Sequence, residues 1–274
     1  MTINCKGNLI DLSAPKVMGI LNLTPDSFYD GGKYRVKDPI LHQTEKMLSE
    51  GATFIDLGGY SSRPGATHIS EKEELSRLLP VVELLVSTFP GILLSIDTFR
   101  SKVASSCLDA GAAMINDISA GVLDRQMIPT VAQYQVPYIM MHMKGNPRTM
   151  QEQTEYKNLI GEILYYFSER LSLCRDSGLT DIIVDPGIGF AKNISQNFEI
   201  LRHLELFQTL ELPLLLGVSR KSLIYKTLST DAQHALNGTT ALHAYALSKG
   251  VQILRVHDVK EAVECILLAQ ELNA

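Results

Sequence analysis

At 274 residues the chain has room for one large α/β barrel, and its 45% hydrophobic and 20% charged content is that of a water-soluble globular protein. A net charge of −5 excludes a general basic field for nucleic acid or anionic lipid, so an anionic ligand has to be met by a local cluster. The N-terminal MTINCKGNLIDLS has no basic segment ahead of an apolar core. No stretch reaches the roughly 18 uninterrupted apolar residues of a membrane span. Cys5, Cys107, Cys174 and Cys265 form no CxxC pair. These features predict a cytoplasmic protein with reduced thiols, no zinc, and neither nucleic acid nor membrane as partner.

In chain order, residues 3–15 read as a small hairpin with Gly7-Asn8 at the turn, placed to plug the bottom of a barrel. Eight short apolar runs follow, each ending on or near a polar residue. VMGIL leads to Asn22, FIDLGG carries Asp56, ILLSID ends at Asp97 and AMIND gives Asn116 and Asp117. PYIMMH ends at His142, IIVDPG gives Asp185, PLLLGVSRKS gives Lys221 and Ser222, and VQILRVH gives Arg255 and His257. Most runs precede a stretch of helical periodicity, so the pattern predicts a (β/α)8 TIM barrel formed by residues 1–274 as a single domain. All strand C-termini in such a barrel open at one mouth, which would gather these polar residues into one pocket.

The connections NLTPDSFYDGGKYR and GGYSSRPGATHIS are long and sit at strand C-termini, which predicts two mobile βα loops acting as lids. A capping box from Ser70 to Glu73 opens a helix that Pro80 should bend or split. Helical spacing over 100–110 and 156–176 ends before Gly111 and Gly178. Further helices are expected over 193–210, over 232–249 ahead of Gly250, and over 259–272.

The acids and amides come first in the chemistry. Asp97, Asn116 and Asp185 would sit buried at the mouth, where an ionised carboxylate needs hydrogen-bond partners. Together they suit a flat heterocycle bearing N–H and amino donors. Any one of them could instead cap a strand end, but that account fails for the set. The cationic side is Lys221, Arg255 and His257, with Arg63 on the second loop. Arg255 and His257 share a face because side chains alternate with period two. With Asn22 they form a local site for an anion such as pyrophosphate with Mg²⁺, a cation commonly held by one or two protein oxygens plus phosphate. Ser219-Arg220-Lys221-Ser222 opens a helix whose amides favour a carboxylate or phosphate. His142, flanked by Met140, Met141 and Met143, reads as pocket wall and not as a metal ligand. Gly187 and Gly189 in DPGIGF read as points where backbone passes close to a ligand.

The motifs NLTPDSFYDGG, DLGGYSSRPGA, SIDTFR, INDISAG, MHMKGNPRTMQ, DPGIGFAK, GVSRKSLI and RVHDVKEA, in this order across essentially the whole chain, resemble the dihydropteroate synthase family. The resemblance implies a homodimeric barrel that joins 6-hydroxymethyl-7,8-dihydropterin pyrophosphate to 4-aminobenzoate, with Mg²⁺ as cofactor and sulfonamides as inhibitors. It assigns the pterin to Asp97, Asn116, Asp185 and Lys221. Arg255 would lie against the pterin face and, with His257 and Asn22, receive pyrophosphate and Mg²⁺, helped by Asp30. Phe28, Pro64, Phe190 and Ser222 would form the 4-aminobenzoate pocket, Ser62 would be a further substrate-binding residue, and Thr24, Asp26 and Arg63 would support the closed loops. Where the family commonly reads Gly-Gly-Glu-Ser-Thr-Arg-Pro-Gly, this chain has Tyr60 and Ser62 in place of Glu and Thr. Asp56 receives no role beyond support of the second loop.

The chemistry so implied is a Mg-assisted dissociative substitution at the pterin methylene. A methyltetrahydrofolate–corrinoid methyltransferase would share the pterin residues but need neither lid motif nor the Arg-x-His site. A non-catalytic pterin-binding barrel would be expected to have lost Asn22, Arg63 or His257, and all are retained.

Overall fold

The β-branched and leucine-rich runs form strands buried on both faces, as a parallel sheet covered by helices requires. In this computed structural model the described residues are 1–23, 37–61 and 68–273. A two-stranded antiparallel hairpin, β1 (Thr2–Cys5) and β2 (Asn8–Asp11), comes first. The barrel strands are β3 (Lys16–Asn22), β4 (Phe54–Gly58), β5 (Leu94–Asp97), β6 (Met114–Asp117), β7 (Tyr138–Met141), β8 (Ile182–Asp185), β9 (Leu215–Leu216) and β10 (Ile253–Val256). They run parallel in the order β8-β7-β6-β5-β4-β3-β10-β9. A parallel bridge between Val184 and Leu214 joins the two edges, so the sheet closes on itself. The helices are α1 (Lys37–Ser49), α2 (Glu71–Thr88), α3 (Ser101–Asp109), α4 (Met127–Tyr134), α5 (Leu159–Asp176), α6 (Ile194–Arg202), α7 (Ser222–Thr227), α8 (Leu236–Ser248) and α9 (Val259–Asn273). This is the expected (β/α)8 barrel with its hairpin.

Several boundaries differ from the sequence reading for local reasons. The hairpin turns at Lys6-Gly7, one residue earlier than expected, with both in left-handed backbone (φ 53° and 88°). Pro80 neither splits nor ends α2, whose Ser70 hydroxyl caps the Glu73 amide at 3.1 Å. The α5 helix starts at Leu159, not 156, because the Asn158 side chain caps the Gly161 amide. The stretch 193–210 divides into α6 and a 3₁₀ segment, Leu204–Leu210. The α8 helix starts at Leu236, later than the 232 expected.

Alternation with period two sorts each strand into an outer face packed on helices and an inner face stacked in layers. The lowest inner layer is apolar: Met18, Phe54, Met114, Ile139, Ile183, Leu215 and Ile253. Ile3, Cys5 and Leu12 of the hairpin region pack beneath it in the same cluster, so the hairpin does plug the bottom. Two residues further along the same strands come Asp56, Asn116, Asp185, Gly217 and Arg255. The polar pocket therefore lies on a dry, closed floor. Truncating that plug with Ile3→Ala should cost roughly 3 kcal/mol, the usual range for deleting a buried aliphatic side chain. Urea unfolding measures it; a loss under 1 kcal/mol would show that the hairpin seals nothing.

Candidate active site

Strand register sets the first row of the pocket. Asn22 pairs with Gly58, Gly58 with Asp97, and Asp97 with Asn116, so these positions stand abreast on four neighbouring strands. Gly58 is what opens the row. A Cβ there would lie 3.2 Å from Asn22 Oδ1 and 3.8 Å from Asp97 Oδ2.

Arg255 holds the centre. Its Nε donates to Asp56 Oδ2 at 2.6 Å and its Nη2 to Asp97 Oδ2 at 2.9 Å. Asn116 Nδ2 donates to the same Asp56 oxygen at 3.1 Å. Asp56 is fully buried, and these two donors meet its Oδ2. Burial raises the pKa of Asp97, against the opposing pull of Arg255. Burial alone would lower Arg255, but Asp56 and Asp97 outweigh it and hold the guanidinium above its ordinary value.

The opposite wall is built from Asp185 and Lys221. Burial raises Asp185, offset by Lys221 and by the Gly187 amide, which donates to its Oδ1 at 2.7 Å. Burial lowers Lys221 to about 8 against the pull of Asp185. Its ammonium donates to Ile188 O at 2.5 Å and lies 5.0 Å from the Phe190 ring centroid. Lys221 is presented by Arg220, a left-handed residue (φ 54°). Arg220 is fixed by two 2.8 Å bonds to Asp258 and by carbonyls of Ala232 and Gln233. The Arg220 side chain thus tethers β10 to the β9 loop. Ser219 Oγ lies 3.1 Å from His257 Nδ1 and accepts the His257 amide at 3.2 Å, which steadies that exposed imidazole at the rim. Ser222 is the first residue of α7, a helix of six residues.

The structure thus brings together Asn22, Asp97, Asn116, Asp185, Lys221, Arg255, Phe190 and Ser222 around one mouth, with His257 at its edge. Thr24, Asp26, Phe28, Asp30, Ser62, Arg63 and Pro64, and with them the two loops, lie outside the described residues. A Cβ at Gly187 would collide with the His142 carbonyl, whereas one at Gly189 would meet Lys221 only at ordinary contact distance, 3.5 Å, and both glycines have positive φ. Residues 62–67 of the second loop, which Asp56 was expected to support, lie outside the described residues, while Asp56 meets Arg255 and Asn116. Its inward register with Asn116 and Arg255 was visible in the alternation of FIDLG, but its partners were not. Tyr60 packs edge-on to Phe99 at 5.2 Å, under the Arg100 guanidinium at 5.5 Å, while Arg100 also ion-pairs buried Glu74.

Among the described residues no group of three or more His, Cys, Asp or Glu could hold a metal. Asn22 offers one amide oxygen, a donor set that fits a hard cation completed by phosphate oxygens and water, and does not fit zinc. No helix among the described residues is long and apolar enough to cross a membrane.

Fold and site together define a barrel enzyme with a buried polar pocket at the strand C-termini. The family model described as "Pterin binding enzyme" matches residues 18–257. A Synechocystis dihydropteroate synthase is 45% identical over 93% of this chain and 89% of its own length. A Yersinia pestis dihydropteroate synthase solved with a sulfonamide drug complex superposes with a TM-score of 0.93 at 41% identity, covering 100% of this chain and 99% of its own. A Xanthomonas albilineans dihydropteroate synthase solved with 4-aminobenzoic acid gives 0.92 at 35% identity, covering 100% and 98%. The chain belongs to the pterin binding enzyme family, within it to the dihydropteroate synthases.

If Asp56 is the electrostatic support of Arg255, Asp56→Ala leaves a buried guanidinium short of one carboxylate and should destabilise the fold by roughly 3 kcal/mol. A chemical-denaturation midpoint unchanged from wild type would remove Asp56 from that role.

Proposed function

We infer that the barrel joins 6-hydroxymethyl-7,8-dihydropterin pyrophosphate to 4-aminobenzoate, giving 7,8-dihydropteroate and pyrophosphate. The observation that carries the residue assignment is the inward row of Asp97, Asn116 and Asp185 opposite Lys221. Acceptors from three strands and one donor match the edge of a pterin, whose ring N–H and amino groups donate and whose carbonyl and ring nitrogens accept. The whole-length relation to dihydropteroate synthases supports the same choice. A corrinoid methyltransferase is disfavoured because it would need neither the two lid motifs nor the Arg255-x-His257 anion site.

In the reaction, the bond between the pterin methylene carbon and the pyrophosphate oxygen breaks as a carbon–nitrogen bond forms to the arylamine, which then releases a proton to solvent. Positive charge builds on the pterin as the bond loosens, and Asp97 and Asp185 supply fixed negative charge beside it. Lys221 and Asn116 orient the ring. Arg255 and His257 face the departing anion, and Asn22, with Asp30 of the first loop, would hold Mg²⁺, which neutralises pyrophosphate charge when bound. The 4-aminobenzoate would lie on Phe190, with its carboxylate toward Ser222 and with Phe28 and Pro64 from the loops. The amine is already nucleophilic, so no strong general base is required; water must be kept out instead, which is the work assigned to the two loops. A homodimer in the cytoplasm, inhibited by sulfonamides, belongs to the same proposal, and sedimentation at enzyme-assay concentration tests the assembly.

With both substrates and Mg²⁺, pyrophosphate should be released in proportion to 4-aminobenzoate; release that ignores 4-aminobenzoate would sink the reading. Asp97→Ala and Lys221→Met should each lower turnover on the order of 100-fold or more with circular dichroism unchanged. Lys221 sits about 8, below its ordinary value, so its ammonium persists below that pH and is lost above it. Pterin affinity by calorimetry should therefore fall as pH rises through about 8. Lys221→Met should flatten that dependence, and an unaltered slope in the variant would assign it elsewhere.

A further inference from the structure

Behind the pocket lies a cation that no step above uses. Lys192 closes the DPGIGFAK segment and is only 4% exposed. Its ammonium donates to Phe190 O at 2.9 Å, Gly187 O at 3.0 Å and, more weakly, His142 O at 3.4 Å, and lies 3.0 Å from His142 Nδ1. Its partners are carbonyls and an imidazole, not a carboxylate. Burial, then Lys192 and Lys144, press the His142 pKa down to about 2, so the ring is neutral and its Nδ1 accepts. Burial brings Lys192 itself down to about 7, although Asp185 pulls the other way.

The segment it holds is strained. Gly187, Gly189 and Ala191 all have left-handed backbone (φ 74°, 85° and 51°), and Ala191 gains nothing from that conformation by itself. Such a turn persists only if its surroundings dictate it. Here every carbonyl from 187 to 191 has a side-chain donor. Lys192 takes Gly187 and Phe190, Lys221 takes Ile188, Gln151 takes Gly189 at 3.3 Å, and Tyr156 takes Ala191 at 2.9 Å. Lys192 alone grips the turn at both of its ends, on either side of the acceptor that Lys221 uses.

We propose that Lys192, with His142 as its fixed acceptor, is a positioning residue that sets the Phe190 ring and so governs capture of the second substrate. The proposal rests on the placement of 4-aminobenzoate against Phe190 given above. Asp97 and Asn116 do not touch the turn, and Asp185, although its carboxylate accepts the Gly187 amide, is placed by β8, so pterin binding is affected less than 4-aminobenzoate binding.

Lys192→Met keeps the length and removes the donors. It should raise KM for 4-aminobenzoate roughly tenfold or more while changing kcat and the pterin dissociation constant by about threefold at most. A cycle with Phe190→Ala separates positioning from general stability. The double variant should be no worse than the poorer single one, because both changes remove the same contact. Additive losses, equal weakening of both substrates, or wild-type kinetics would overturn the proposal. Lys192→Gln, which retains an amide donor, enters the same cycle if the methionine variant fails to fold; failure of both to fold would make the residue purely structural and equally overturn it. Wild-type enzyme without 4-aminobenzoate-dependent pyrophosphate release would instead refute the functional reading itself.

Discussion

The architecture of the mouth depends on one arrangement of charge: a guanidinium bridging two carboxylates above a dry floor. Removing three such groups from water costs several kcal/mol each unless their geometry returns it. The geometry here does so in part, by sharing, while Asp56 Oδ1 is buried with no hydrogen-bond partner among the described residues. A single oxygen of Asp56 meets both Arg255 and Asn116, and Arg255 extends to Asp97. None of these groups can be displaced alone without leaving another uncompensated, so β4, β5, β6 and β10 are locked in register at the end where chemistry occurs. The pocket is polar and yet preorganised, which is the condition for electrostatic stabilisation of a developing charge without reorganising solvent.

That cluster also constrains what a ligand can do. Arg255 is already committed to two anions, so a pyrophosphate approaching it competes with Asp97 for one face of the guanidinium. Under the proposed assignment the site is therefore not two independent halves, one for a ring and one for an anion: Arg255 would belong to both, and a pterin engaging Asp97 would alter the field that its leaving group meets. Such coupling brings binding of the ring and departure of the anion under one set of charges.

Much of this was legible in the sequence because period-two alternation is a strong signal. Phe54 and Asp56, Met114 and Asn116, Ile183 and Asp185, Ile253 and Arg255 each place an apolar residue below a polar one on the same inner face, so floor and pocket could be read together. What escaped was non-local. The partner of Asp56 lies 199 residues away in Arg255. The anchoring of Arg220 by Asp258 spans 38 residues, which no local propensity reveals. Lys192 looked like an ordinary residue after a glycine loop, because burial of its ammonium is decided by β7 and its His142. The one-residue error in the hairpin turn is of another kind. Lys6 adopts the left-handed region without the side chain that usually signals it.

Of the seven described non-glycine residues at positive φ, two adjoin pocket residues in the chain: Arg220 precedes Lys221 and Ala191 follows Phe190. Each is held by a side-chain bond, Arg220 by Asp258 and Ala191 by Tyr156. The backbone can turn its carbonyl at Ile188 toward Lys221 and its ring at Phe190 toward the mouth without side chains of its own crowding the space. In this barrel the strands fix where charge is, while the two strained loops fix how closely an apolar wall can stand beside it.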